Sequence, residues 1–423
     1  MTTRFLSLLT GLILPALSSA QYLLVPMDDT QSNHLKAYGV AYWQLAQGQT
    51  VEWLLNYRGG SFLLADSPVS RQECLVREVS VEPLSVADAA AIKADISRDD
   101  VNSDVIRLEK APKIAVYTPP NSLPWDDAVT LALTYAEIKY DKIWDREVLE
   151  GKLSDYDWLH LHHEDFTGQY GKFYQAFSTA PWYIRQQAEY EAFAREMGFR
   201  SVHEEKKAVA EKIREYVGAG GFMFAMCSAT DTYDIALAAR GIDIAAPEFD
   251  GTPAEAGAQE RLDFTRTFAF QKFMISLNPL EYEYSSIDIQ PEEVPQRLAN
   301  QATDFFTLFQ FSAKWDPVPT MLTQNHRKIL KGFLGQTTLY KKQFVKSSVV
   351  VLGEYEGRDE VKYLTGNFGK GSFTFFGGHD PEDFQHAVGD PPTDLALHKN
   401  SPGYRLILNN VLFPAARKKP HKT

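Results

Sequence analysis

The sequence predicts an α/β fold built around a parallel sheet, and two observations carry this prediction. Apolar segments with strand character alternate along the chain with segments whose apolar residues have helical spacing. The most apolar segments, 114–117 and 222–226, are short and unbroken, which is typical of strands buried on both faces. Because parallel strands are joined by crossover helices, this alternation predicts a parallel sheet that helices cover on both faces.

The N-terminus has the layout of a secretory signal peptide. Arg4 provides a positive charge, an apolar run covers 5–17, and small residues at 18–20 offer a cleavage site. The run is too short to span a membrane, and no later stretch is long and apolar enough to do so. We therefore expect an exported protein, periplasmic or extracellular, whose mature chain begins at Gln21.

The composition supports a packed globular protein and limits its partners. Hydrophobic residues make up 44% of the chain, and the formal net charge is −12. That charge argues against nucleic acid or an anionic membrane surface as the main partner. The two cysteines, Cys74 in a charged helical stretch and Cys227 at the end of an apolar strand, occupy different contexts. We expect free thiols, with a disulfide as the alternative.

The order of the segments divides the chain. An N-terminal α/β module is expected at 21–110, with strands at 23–26, 51–55, 61–64 and 79–84 and helices at 34–46 and 85–96. The larger domain is expected at 111–415, with strands at 114–117, 140–144, 156–162, 222–226, 348–352, 361–364 and 372–376 and helices at 126–138, 206–217, 230–239 and 404–413. Two insertions interrupt it, at 164–200 and 247–346, and a basic tail follows at 416–423. The first insertion is rich in aromatic residues and forms either a lid or a helical hairpin on the sheet.

The turn after strand 222–226 carries the sharpest chemical signal. Cys227 ends this strand and a helix begins at once, which is the arrangement of a nucleophile elbow. Ala225 and Ala229 supply the small residues that such a crowded turn needs. The helix N-terminus favours a thiolate, and the N–H of Ser228 is placed to donate to an oxyanion. The alternative is a structural cysteine, since free cysteines are among the most buried residues.

A second signal follows strand 372–376, where two glycines precede His379. Carboxyl ends of parallel strands meet at one edge of a sheet, and ligands bind there. We therefore expect His379 to act as general base to Cys227, with Asp380 or Glu382 orienting the imidazole. The alternative is a surface turn.

A third signal lies at the end of strand 156–162, where three histidines and Glu164 cluster. Strand alternation places His160 and His162 on one face and His163 on the other. We expect His162, His163 and Glu164 to contact the substrate, with the local backbone donating to the oxyanion. The spacing matches no standard zinc motif, so no metal is expected.

These motifs resemble the class I glutamine amidotransferase-like superfamily. The resemblance rests on the elbow at 225–229, the strand at 156–163 and the turn at 378–382, and it covers the chain from Lys113 onward. The stretch 369–382 also resembles the trehalose-utilisation branch. The resemblance implies a three-layer, flavodoxin-like core with a parallel sheet, preceded by the N-terminal module.

Two further segments, 166–173 and 312–319, resemble exported Bacteroidetes-type proteins often labelled asparagine synthetase B. An asparagine synthetase of that class needs an N-terminal cysteine, and Gln21 stands at the expected mature terminus. It also needs a Ser-Gly-Gly-x-Asp-Ser pyrophosphate loop, which this sequence does not contain. ATP-dependent asparagine synthesis is therefore rejected.

The favoured function is a Cys-dependent hydrolase or amidase that needs no cofactor and acts on a small-molecule, carbohydrate or peptide ligand. One alternative is a non-catalytic carbohydrate- or peptide-binding protein that uses the aromatic stretch 166–190. Another is a metal-dependent hydrolase that uses His160, His162 and His379.

Overall fold

The structure is a computed structural model that describes residues 21–120, 126–316 and 324–416. The expected signal peptide at 1–20 and the basic residues from 417 onward lie outside the described residues. Within the described ranges, no helix has the length and apolar character needed to cross a membrane.

The first module is a five-stranded antiparallel sheet with three helices. It contains β1 (Tyr22–Val25), α1 (His34–Ala46), β2 (Val51–Leu55), β3 (Ser61–Ala65), α2 (Pro68–Val76), β4 (Glu82–Leu84), α3 (Val86–Ile96) and β5 (Asp104–Leu108). The strand order is β4-β1-β3-β2-β5. The connection at 56–60 is too short for a crossover, so β2 and β3 pair as a hairpin. Ser85 caps α3 in a capping box with Asp88, as a serine before an acidic first turn predicts.

The second domain is organised around a ten-stranded sheet. Its strands are β6 (Ile114–Tyr117), β7 (Asp141–Ile143), β8 (Trp158–Leu161), β9 (Phe222–Met226), β10 (Phe305–Leu308), β11 (Ile329–Lys331), β12 (Tyr340–Lys341), β13 (Val350–Glu354), β14 (Glu360–Phe368) and β15 (Gly371–Phe376). Its helices are α4 (Ala128–Tyr135), α5 (Asp145–Leu149), α6 (Tyr174–Phe177), α7 (Pro181–Glu196), α8 (Val202–Ala219), α9 (Ala229–Ala238), α10 (Pro247–Asp250), α11 (Val294–Ala299) and α12 (Pro402–Leu412).

The sheet is mixed, which corrects the expectation of a purely parallel one. The strand order is β11-β10-β13-β14-β15-β9-β8-β6-β7, and β12 pairs with β14. The strands β7, β6, β8, β9 and β15 run parallel, whereas β14 and its neighbours on that side are antiparallel. The cause is local, because only Gly369 and Lys370 connect β14 to β15, and a turn that short forces a hairpin. The fold is therefore α/β with a mixed parallel and antiparallel sheet.

The parallel strands are buried on both faces, as their unbroken apolar sequences predict. Along β9, Phe224 and Met226 pack in one hydrophobic cluster with residues of α4 and α12. Met223 and Ala225 point the other way, into a second cluster with residues of α8 and α9. Full burial of a Phe or Met side chain stabilises a fold by roughly 1.5–3 kcal/mol, so β9 anchors the domain.

A buried guanidinium hydrogen-bonds residues of the first module from the second, within a hydrophobic cluster that the two modules share. Arg405 on α12 donates from Nε to the Tyr38 hydroxyl (2.9 Å) and from Nη1 to the Met27 carbonyl (3.0 Å). Its Nη1 also lies 3.0 Å from Nδ1 of His326, whose ring stacks on His34 at 4.1 Å between centroids. These contacts satisfy a buried charge that would otherwise be costly.

Candidate functional site

The carboxyl edge of the parallel strands gathers a dense group of ionisable side chains. We call it the imidazole–carboxylate cluster, and its members lie near the end of β8 or follow β6, β8 and β15: Asp126, Asp127, His160, His162, His163, His379 and His386. In open α/β sheets, ligands bind at this edge. Each pair of contributing strands is brought together by the parallel pairing of β6 with β8 and of β8 and β15 with β9.

Four imidazole rings of the cluster lie against one another. The centroid of His379 lies 4.5 Å from that of His162 and 5.9 Å from that of His163. His162 and His163 are 5.1 Å apart, and His386 stacks almost parallel on His379 at 4.7 Å. His162, His163 and His379 each have one ring nitrogen that lies within 4.8 Å of a ring nitrogen of the other two.

Asp127 holds the rings of His160 and His162 in place. Its carboxylate lies 3.1 Å from Nε2 of His160 and 3.3 Å from Nδ1 of His162. Burial alone would raise the pKa of Asp127, but the two imidazoles hold it well below its usual range. The other nitrogen of His160 lies 3.2 Å from the Phe224 carbonyl, so both nitrogens of that ring are engaged. His160 therefore has a structural role in the cluster, since neither of its nitrogens is left for a ligand.

A second carboxylate–imidazole pair lies beside His379. Oδ1 of Asp126 is 2.7 Å from Nε2 of His386, and Nδ1 of His386 is 3.0 Å from Oδ2 of Asp383. Burial raises the pKa of Asp126, partly offset by His386. The His386 ring is therefore held between two carboxylates.

Two ring nitrogens of the cluster are enclosed by the protein. Nε2 of His162 and Nε2 of His379 are buried, and neither has a hydrogen-bond partner among the described residues. Burial and the neighbouring imidazoles lower the pKa of His163 and of His379 well below the usual histidine value. Both rings are therefore neutral at neutral pH, the form that accepts a proton or binds a metal ion.

The sequence placed His163 on the opposite face from His162, yet both rings contact the same histidine. The reason is that β8 ends at Leu161, so strand alternation no longer applies to the residues that follow. The carbonyl of His162 instead accepts a hydrogen bond from the N–H of Ala229 at 2.9 Å, at the start of α9.

Cys227 lies in a strained turn between β9 and α9. Its φ is 50°, a left-handed conformation that a non-glycine residue adopts at a cost of about 1–2 kcal/mol. Burial raises the pKa of the thiol, although backbone N–H groups of Thr337, Gln336 and Ser228 around the sulfur counteract the rise. The two cysteines are both buried and free, in agreement with the expectation of no disulfide.

No hydrogen bond between the described residues Cys227 and His379 is present, and the loop at 334–338 contacts both of them. Its N–H groups face the Cys227 sulfur, as described above. Its Leu334 carbonyl accepts from the N–H of His379 (2.8 Å), and its Thr337 carbonyl accepts from the N–H of Gly378 (2.7 Å).

The carboxylates expected to orient His379 make other contacts. Asp380 is buried and accepts hydrogen bonds from Thr393 (2.7 Å), Tyr404 (2.8 Å) and the N–H of Glu382 (2.8 Å). Glu382 pairs with His398 at 3.1 Å. Asp380 and Glu382 therefore shape the turn that carries His379. The ring of His379 is stacked on His386 and not on either carboxylate.

The other expected substrate-binding residues are buried around the elbow. The hydroxyl of Ser228 has no hydrogen-bond partner among the described residues. Burial raises the pKa of Glu164 to about 8, and Lys206 opposes that rise. Glu164, His163 and Lys206 also line a small cavity, together with Tyr170 and Tyr190 of the aromatic insertion.

The aromatic side chains of the insertion at 164–200 pack largely on one another. Tyr170, Phe173 and Tyr183 are buried in a small cluster that also contains Phe249 of α10. The insertion includes the helices α6 and α7. These three rings therefore form a core of their own.

Sequence reasoning gave no site role to Asp126, Asp127 or His386. Asp126 and Asp127 come after β6, whose carboxyl end lies on the same edge of the sheet as those of β8 and β15. Their position after this strand could therefore have predicted a place in the site. His386 had no such signal, because it follows an irregular turn whose path the sequence does not specify.

Comparisons with known proteins give no family for the chain. No protein-family model matches it, and no curated protein matches it. Among solved structures, the Cytoplasmic Proteins STM3548 and STM1381 from Salmonella typhimurium each share 12% identity over 72% of this chain and 100% of theirs, with TM-scores of 0.34 and 0.35. The GH42 β-galactosidase Gan42B shares 10% identity over 64% of this chain and 28% of its own, with a TM-score of 0.27. Similarities this weak carry no argument about fold or function.

Proposed function

We propose that this chain is an exported hydrolase with a class I glutamine amidotransferase-like, three-layer core. Its active centre would be the imidazole–carboxylate cluster at the carboxyl edge of the strands. The observation that carries the proposal is the convergence of His162, His163 and His379, with buried Nε2 atoms of His162 and His379 that no described residue hydrogen-bonds. Export rests on the signal-peptide pattern at 1–20.

The chemistry of the cluster supports hydrolysis. Neutral imidazoles and carboxylates are the side chains that most often move protons to and from an attacking water. Buried groups with perturbed pKa values at the edge of an α/β sheet are typical of active sites.

The test is a panel of chromogenic esters, anilides and phosphoesters, assayed with the wild type, His379→Gln and Cys74→Ser. Cys74 is buried in the first module and serves as the matched control. We expect His379→Gln to lower kcat/KM at least about 100-fold, the usual contribution of acid–base groups, and Cys74→Ser to leave it unchanged. Equal rates for wild type and His379→Gln would exclude this centre.

A second candidate function is a Cys-dependent amidase with Cys227 as nucleophile. The left-handed φ of Cys227 favours it, because strained non-glycine residues at strand–helix turns are often functional. In that case Cys227 and His379, which share no hydrogen bond here, would have to come within hydrogen-bond reach of each other. Loss of all hydrolysis in Cys227→Ala, with a folded protein, would favour this candidate over the first.

A further inference from the structure

We propose that His162, His163 and His379 bind one divalent transition-metal ion, with zinc as the reference case. The proposal deepens the proposed function by naming a cofactor for the same centre, but metal binding does not itself require hydrolysis. The inference rests on three features of the cluster: its donor atoms, their support, and the surrounding charge.

The donor atoms have the right type and count. Imidazole nitrogens suit zinc, copper, nickel and iron, and three protein ligands with one open position are typical of catalytic zinc sites. The three nitrogens lie within 4.8 Å of one another. Around a tetrahedral zinc ion with Zn–N distances of about 2.0 Å, ligand nitrogens lie about 3.3 Å apart, so small side-chain rotations would close the site.

The burial of Nε2 of His162 and of Nε2 of His379 without a hydrogen bond is the second independent observation. His162 and His379 are 1% and 6% exposed, and each buries an Nε2 atom that has no hydrogen-bond partner in the described chain. Leaving a polar atom buried and unsatisfied costs about 1–3 kcal/mol. Two such atoms on rings 4.5 Å apart indicate a ligand that satisfies both.

The support around the ligands has the form that metal sites require. A metal-binding histidine usually donates its other nitrogen to a carboxylate, which fixes the ring and its tautomer. Nδ1 of His162 lies 3.3 Å from Asp127, which leaves Nε2 for the ion. The same carboxylate holds His160, whose two nitrogens are both engaged, so His160 positions ligands without being one.

The charge balance also favours a cation. Asp126 and Asp127 supply two carboxylates within reach of the rings. Asp126 and His386 lie beside His379, with ligand atoms of all three within 4.8 Å of one another. A metal-bound water next to these groups is a nucleophile suited to hydrolysis.

The experiment uses the full chain after chelator treatment, titrated with Zn²⁺ by calorimetry and with Co²⁺ by visible absorption. We expect one equivalent to bind and Co²⁺ to give the bands of a nitrogen-rich site. His162→Gln and His379→Gln should each weaken affinity by more than about 100-fold, because even supporting residues contribute 10–100-fold. The control, His34→Gln, alters a buried histidine of the first module and should bind as the wild type does.

Two outcomes would overturn the inference. One is an apoprotein that binds neither ion. The other is binding that survives both ligand variants and disappears in His203→Gln, which would assign the ion to the separate group of His203, Asp243 and Asp250. Zinc bound without hydrolysis of any substrate would uphold the metal site and refute the proposed function. Hydrolysis that is insensitive to chelation, with no ion bound, would uphold the proposed function and refute the metal site.

Discussion

The rings of His162 and His379 lie 4.5 Å apart, although one follows β8 near the start of the second domain and the other follows β15 near its end. The contact arises because β9 pairs in parallel with both strands and so aligns their carboxyl ends.

Replacing Asp127 with asparagine should weaken Zn²⁺ or Co²⁺ binding by about 10–100-fold, because the amide cannot hold His160 and His162 as the carboxylate does. Titration of the apoprotein measures this. Asp100→Asn changes a carboxylate that pairs with Arg98 on the surface, so it should bind as the wild type does. Equal affinities for the two variants would contradict the supporting role of Asp127.

Cys227 should react slowly with iodoacetamide in the native protein and quickly after denaturation. Burial encloses the thiol and raises its pKa, so little thiolate is accessible at neutral pH. Mass spectrometry of labelled peptides measures the rate, with Cys74, whose pKa burial raises to about 11, as the internal comparison. Rapid native labelling of Cys227 alone, lost in His379→Ala, would instead support the Cys-dependent amidase.

Lys206→Met should destabilise the protein by about 3–5 kcal/mol, because it leaves the carboxylate of Asp145 buried without its cation. The two atoms lie 2.6 Å apart and both side chains are at least 95% buried. Urea denaturation measures the loss. Lys212→Met breaks an exposed pair with Glu215 and should cost no more than about 1 kcal/mol. A similar decrease in the free energy of unfolding for both variants would mean that the buried ion pair stabilises the fold no more than the exposed one.

His326 should make the junction between the modules sensitive to acid. Burial, with Arg405 and His34, lowers the pKa of His326 to about 2, whereas the unfolded value is 6.5. Below pH 6.5 the unfolded chain therefore binds a proton that the folded chain does not. Stability falls by up to about 1.4 kcal/mol per pH unit for this group as the pH decreases from 6.5 toward the folded value.

His326→Gln removes that proton, so its free energy of unfolding should fall less steeply between pH 6.5 and 4.5 than that of the wild type. Urea denaturation at several pH values measures both slopes. Parallel curves would show that His326 does not contribute to the acid sensitivity.

The sequence predicts local structure here better than it predicts connections. The unbroken apolar segment 222–226 is β9 residue for residue, and the turn at Cys227 follows it. The antiparallel half of the sheet was not expected, because the short link between β14 and β15, and not the strand sequences, decides the direction.

The sequence predicted only those residues of the candidate site that lie near strand ends. His162, His163 and His379 stood out because each lies at the end of a predicted strand of one sheet or shortly after it. The partners of these rings did not stand out, because the contacts of His386 with Asp126 and Asp383 depend on the path of the irregular segment after β15. Strand alternation also misplaced His163, since the strand ends two residues earlier.

The loop at 334–338 has a thermodynamic consequence. It hydrogen-bonds the backbone of Gly378 and His379, and its N–H groups surround the Cys227 sulfur. An adduct on that sulfur would have to displace the loop and would therefore disturb His379 as well. Substitutions at Cys227 and His379 should thus be non-additive in a double-mutant cycle, and a ligand at either position would change the affinity of the other for its own ligand.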